Sequence, residues 1–196
     1  MMRMALLSGL WLMAGLTTAS AHTGEGIGGD LTAGFAHPLL GPDHLLAMVS
    51  VGIWGAQLGS PALWMLPIGF PLIMAVGGAL GVAGFPLPAT ELVIALSVLT
   101  LGIMVARAQR LPMVAAFLIV AVFALAHGHA HGVELPKSAD ALAFCVGFVV
   151  ATGLLHATGI VIGLLIKWPI GAMAIRFLGS LVTLAGVYFI FNSFQA

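Results

Sequence analysis

Charge is nearly missing from this chain. Of its 196 residues only six are Lys or Arg and six Asp or Glu, 6% in all, against about 25% in soluble domains. That scarcity excludes an ordinary soluble fold, and the lack of any basic tract argues against nucleic acid as a partner. The one cysteine, Cys145, rules out an intramolecular disulfide and any multi-cysteine zinc or iron–sulfur site. There is no glycine-rich nucleotide loop ending in Lys-Ser or Lys-Thr, so the chain does not hydrolyse ATP itself. Outside the first segment the methionines lie singly, without M-x-x-M clusters, and read as packing rather than as soft copper ligands.

What is abundant is apolar. Hydrophobic residues make up 61% of the chain and recur in long runs, the composition of a polytopic membrane protein whose first partner is the lipid bilayer. The first segment has the form of a signal peptide at 1–21: basic "MMRM", apolar "ALLSGLWLMAGL", then "TTASA" with an Ala-x-Ala site. Cleavage after Ala21 would leave His22 as an exported N-terminus. Residues 22–196 then read as a single all-α domain of six transmembrane helices, placed at about 31–57, 61–84, 89–107, 112–132, 140–166 and 171–194. An outside N-terminus puts Arg107, Arg110 and Lys167 inside and Lys137 outside, which the positive-inside rule supports independently. Both termini are expected outside. Gly55/Gly59, Gly77/Gly81 and Gly159/Gly163 are spaced as small-residue pairs for close helix packing.

Against this background "GFAHPLLGPDHLLAM", from Gly34 to Met48, is anomalous. It places His37, Asp43 and His44 at membrane depth, where a carboxylate costs about 2.5–3.5 kcal/mol on insertion scales. Pro38 and the pair Gly41-Pro42 would break the helix at the same depth, with Gly41 as N-cap and Pro42 restarting it. Broken helices are tolerated in membranes where they line a cavity. His37 and His44 share a face if the helix is continuous, since seven residues return to within about 20° of the start. A second cluster, "AHGHAHGVE" from Ala126 to Glu134, closes the fourth helix on the outside. His127, His131 and Glu134 form one stripe there, and His129 points to roughly the opposite side.

Imidazole with carboxylate is the ligand set of borderline divalent metals: nickel, cobalt, zinc and copper(II). Without thiolates such a site can also release its ion. His37, Asp43, His44, His127, His131 and Glu134 are the metal-site candidates. Glu91, His129, His156 and His22 are further ones, each with a plainer reading as a hydrogen-bonding, solvated or incidental residue. An intramembrane metal-dependent hydrolase is a rival, given His127-x3-His131 with Glu134 as base. Gly128 nevertheless stands where an H-E-x-x-H site has its glutamate. A metal-binding subunit that passes nothing on is another alternative.

The residues resemble the HupE/UreJ family of nickel permeases associated with hydrogenase and urease assembly. "HPLLGPDH" matches that family's H-x5-D-H motif, and "AHGHAHGVE" is similar to its F-H-G-x-A-H-G-x-E motif, departing only in Ala126 for Phe. The resemblance covers the whole chain. It implies a non-enzymatic transporter in the bacterial inner membrane with both termini periplasmic. Its substrate would be Ni(II), with Co(II) or Zn(II) as alternatives, and no cofactor would be permanently bound. On the same resemblance the residues of both motifs carry over, and Phe70 and Glu91 are added outside them. Pro38, Gly41, Pro42 and Phe70 are expected to line the path or pack beside it.

Overall fold

A computed structural model describes residues 27–135 and 140–195. The signal segment, its cleavage site, His22, Lys137 and the C-terminal Ala196 lie outside the described residues. Helices α1 (Ile27–Leu40) and α2 (Pro42–Leu58) are followed by α3 (Ala62–Val82), α4 (Thr90–Arg107) and α5 (Met113–Glu134). Then come α6 (Ala141–Gly163), a 3-10 turn (Leu164–Lys167) and α7 (Pro169–Ser193). No strand occurs among the described residues. Five helical stretches are long and apolar enough to cross a membrane, and α1 with α2 makes a sixth span bent by 76°. The six expected segments are therefore present, the first of them broken.

The break follows from local chemistry. Pro42 has no N–H to donate and occupies the first turn of α2, where none is needed. Gly41, extended at φ −79° and ψ 107°, is the N-cap. Its N–H closes α1 on the His37 carbonyl at 3.0 Å, and its own carbonyl accepts from Leu45 N–H at 2.9 Å. Two prolines, Pro67 and Pro71, lie inside α3. Pro71 cannot donate to the carbonyl four residues back, so the Pro67 oxygen must find a partner elsewhere.

Packing pairs α3 with α5, α4 with α7, and both α1 and α2 with α6. Glycine sets the closest of these approaches. A Cβ at Gly77 would run into the Leu125 carbonyl and one at Gly81 into that of His129. From the other side, Gly128 and Gly132 meet the Met74 and Gly78 carbonyls. Gly159 lies against Val49, and Gly163 against Ile53 and Ala56. Gly55/Gly59 departs from the expected role at its second member. Gly59 ends α2 in the left-handed region at φ 80°, with nothing near its missing side chain. Gly59 is a helix stop, while Gly55 keeps the expected contact, its missing side chain facing the Ala62 carbonyl of α3 at 3.2 Å.

The interior holds Trp54, Phe70, Met48 and Leu66, while Leu72, Val114, Leu118, Val122 and Leu184 are exposed. An apolar exterior of this kind suits hydrocarbon. The glycine contacts also make a prediction. Gly128→Ala should force α5 away from Met74, costing about 1–3 kcal/mol as overpacking does. A thermal melt of the purified chain in detergent, unchanged from the parent, would contradict that close approach.

Candidate metal centre

Three imidazoles from three helices converge at the break. His37 near the end of α1, His44 in the first turn of α2 and His131 near the end of α5 bring ligand atoms within 4.8 Å of one another. Ring centroids stand 4.6 Å apart for His37–His131, 4.6 Å for His44–His131 and 5.8 Å for His37–His44. A divalent ion holds each nitrogen at about 2.0–2.1 Å, so any two of its ligands lie no more than about 4.2 Å apart. The widest pair would have to close by at least about half an ångström on loading.

The 76° bend changes the reason His37 and His44 meet. On a continuous helix they would be stacked along one face. Here the chain folds over at Gly41 and turns the two rings toward the same point. A side chain at Gly41 would crowd both His44 Nδ1 and the Asp43 carboxylate, at 3.2 and 3.3 Å. Gly41 and Pro42 shape the site, and Pro38 is buried beside it.

Asp43 stands behind His44. Its Oδ1 accepts both the His44 Nδ1–H at 2.6 Å and the His44 backbone N–H at 2.8 Å. A carboxylate can only accept, so the proton is on Nδ1 and the Nε2 lone pair is free. His44 Nε2 is buried without a hydrogen-bond partner. The same arrangement recurs at His127, whose Nδ1–H donates to the Phe123 carbonyl at 2.9 Å while Nε2 is unpartnered. Its ring is 4.8 Å from that of His44, one step further inward. Both nitrogens of His131 are buried and unpartnered. Each such orphan costs about 1–3 kcal/mol in a protein with no ligand, a cost borne by sites that bind something.

The helix 4 stripe of the sequence reading, now on α5, is therefore half engaged. His127 and His131 face the cluster, but Glu134 is exposed at the end of α5. Glu134 and the exposed Glu91 lie outside the three-imidazole group and within electrostatic reach of each other, and Glu134 also feels His44 and Asp43. His129 is turned away, as its angle requires. It does not face outward, because it is buried and donates Nε2–H to the Phe85 carbonyl at 2.7 Å, beyond the end of α3. His156 is also apart from the cluster, with its ring 5.4 Å from Phe70. Phe70 is fully buried, and its ring lies 5.7 Å from His127 on the other side.

Sequence reading missed Phe144, Phe148 and Thr152. Phe148 packs its ring 4.4 Å from His131, and Phe144 lies 6.0 Å from His37. A cleft of about 420 Å³ between α3, α5 and α6 opens beside them, with His131, Met74 and Cys145 in its wall. The signal was available, since 144, 148, 152 and 156 recur at intervals of four on one helix.

Apolar helices that enclose buried imidazoles at a helix break define a polytopic helical protein with an internal candidate metal site. The chain matches the HupE / UreJ protein family over residues 10–189. Protein HupE of Rhizobium leguminosarum bv. viciae is 44% identical over 168 residues, which is 86% of this chain and 87% of that protein. This chain belongs to the HupE/UreJ family. No solved structure matches it.

Proposed function

We propose that this protein carries Ni(II), with Co(II) as the alternative substrate, inward across the bacterial inner membrane for hydrogenase or urease maturation. The observation that carries the reading is the convergence of His37, His44 and His131 at a broken helix, with unpartnered nitrogens of His44 and His131 directed at no protein group. Imidazole suits nickel and cobalt, and a site without thiolate releases its ion readily. The exposed Glu134 and Glu91 would draw cations to the outer mouth. His37 and His131 would take the ion first, and His44 would hold it with Asp43 offsetting its charge. His127 would receive it next. Nothing in this route needs a bond to be made or broken, so the protein is read as a permease rather than an enzyme. The exposed position of Glu134, outside the three-imidazole group, weighs against its use as the base of a hydrolase.

Purified chain in sealed proteoliposomes should accumulate radiolabelled nickel in the lumen. Metal that binds to the protein without entering the lumen would defeat the transport reading and favour a non-transporting metal-binding subunit.

A further inference from the structure

Inward of the three-imidazole group the buried polar atoms continue. His156 is 1% exposed and sits eight residues beyond Phe148 on α6, about 12 Å deeper along the helix axis. Its Nδ1 lies 3.1 Å from the Pro67 carbonyl, the oxygen that Pro71 leaves without a helical donor. A carbonyl only accepts, so His156 donates from Nδ1 and keeps its Nε2 lone pair. That Nε2 is buried and unpartnered. One turn away, Thr152 is 0% exposed and its hydroxyl is also unpartnered. Thr158 and Thr183 donate to the carbonyl four residues back, each at 2.8 Å, and Thr32 and Thr90 to the carbonyl three back. Thr152 does neither.

Residues at i and i+4 share a helix face, so Thr152 and His156 present an oxygen and a nitrogen ligand on one side of α6. The Phe70 ring touches both imidazoles, its centroid 5.7 Å from that of His127 and 5.4 Å from that of His156, in T-shaped contact with each. His44, His127 and His156 thus each have Nδ1 occupied and Nε2 bare.

We propose that Thr152 and His156 form a second metal station inward of Phe70, and that the Phe70 ring is the barrier an ion crosses between His127 and His156. The proposal rests on the transport reading for its direction but not for its existence. An ion leaving His127 needs another polar ligand within reach, because a bare dication in hydrocarbon is far too costly. A neutral two-ligand station binds weakly enough to pass the ion on.

A thiolate placed at the station reports whether metal reaches it. Cysteine is close to threonine in size, so Thr152→Cys adds a soft ligand beside His156 with little change in packing. Titrated with Co(II) in detergent, this variant should gain a thiolate-to-metal charge-transfer band in the near ultraviolet. The parent chain, which already contains Cys145, should lack it. Adding His156→Asn should raise the Co(II) needed for the band at least tenfold. Asparagine retains an N–H donor near the Nδ1 position for the Pro67 carbonyl and removes Nε2 with the outer part of the ring, so the structural hydrogen bond is kept while the ligand is lost. In proteoliposomes, His156→Asn alone should lower maximal nickel uptake at least tenfold and leave the half-saturating concentration within about twofold, because the outer imidazoles are intact. Absence of the band from a Thr152→Cys chain whose outer site is loaded would overturn the proposal. So would parental uptake by His156→Asn, and that measurement decides alone if Thr152→Cys does not fold. A parent chain that takes up no nickel defeats the transport reading, and the band then decides the inner station by itself.

Discussion

His131→Ala is expected to abolish nickel uptake, a fall of more than a hundredfold, while His129→Ala keeps most of it. The two residues are two positions apart in a run of histidines, and composition alone gives no reason to rank them. Geometry does. His131 brings two unpartnered nitrogens into the group it shares with His37 and His44. Losing it removes a direct ligand, which should exceed the about 10–100-fold effect of losing a partner behind one. His129 donates instead to the Phe85 carbonyl. Its removal costs one hydrogen bond, about 0.5–1.5 kcal/mol of stability, and no ligand. Initial rates in proteoliposomes, normalised to inserted protein, compare the two. Equal losses would mean that both histidines meet the ion, which the facing of α5 forbids.

Much of this was legible before any coordinates. Gly41-Pro42 announced the broken helix, because a glycine N-cap followed by proline at the first helical position is a helix start, and the structure breaks there, whereas Pro38 is carried inside α1. The spacing of His127 and His131 put them on one face, and they share it. Glu134, one further turn along, is the last residue of the helix and lies in the open, since a stripe says nothing about where the bundle stops. The seven-residue spacing of His37 and His44 led to their proximity by the wrong route. That route held only if the helix were continuous; with the expected break present, a 76° bend brings the rings together instead. What sequence could not show was pairing between distant helices. The freed Pro67 carbonyl meets His156 across 89 residues, and only that pairing fixes which nitrogen of His156 is bare. Tautomers are set by neighbours in space, and the chain does not list those.

Asp43→Asn should weaken metal binding by about 10–100-fold without emptying the site, the range found when a group behind a metal-bound histidine is altered. Asparagine has the same shape and still offers an oxygen to His44 Nδ1–H. The negative charge is lost, and with it both the added basicity of His44 Nε2 and part of the balance against a dication. Asp43→Ala is more severe, because it leaves His44 Nδ1 with no partner, and uptake should vanish as it does for His44→Ala or His37→Ala. The sequence alone left open whether Asp43 is itself a ligand. With Oδ1 engaged twice by His44, at 2.6 and 2.8 Å, the carboxylate acts through that imidazole. A double-mutant cycle separates the two roles, read as Co(II) affinity of the purified chain rather than as uptake. If Asp43 works through His44, Asp43→Asn costs little once His44 is already alanine. If instead the losses add in full, Asp43 touches the metal directly and the carboxylate belongs inside the site, not behind it.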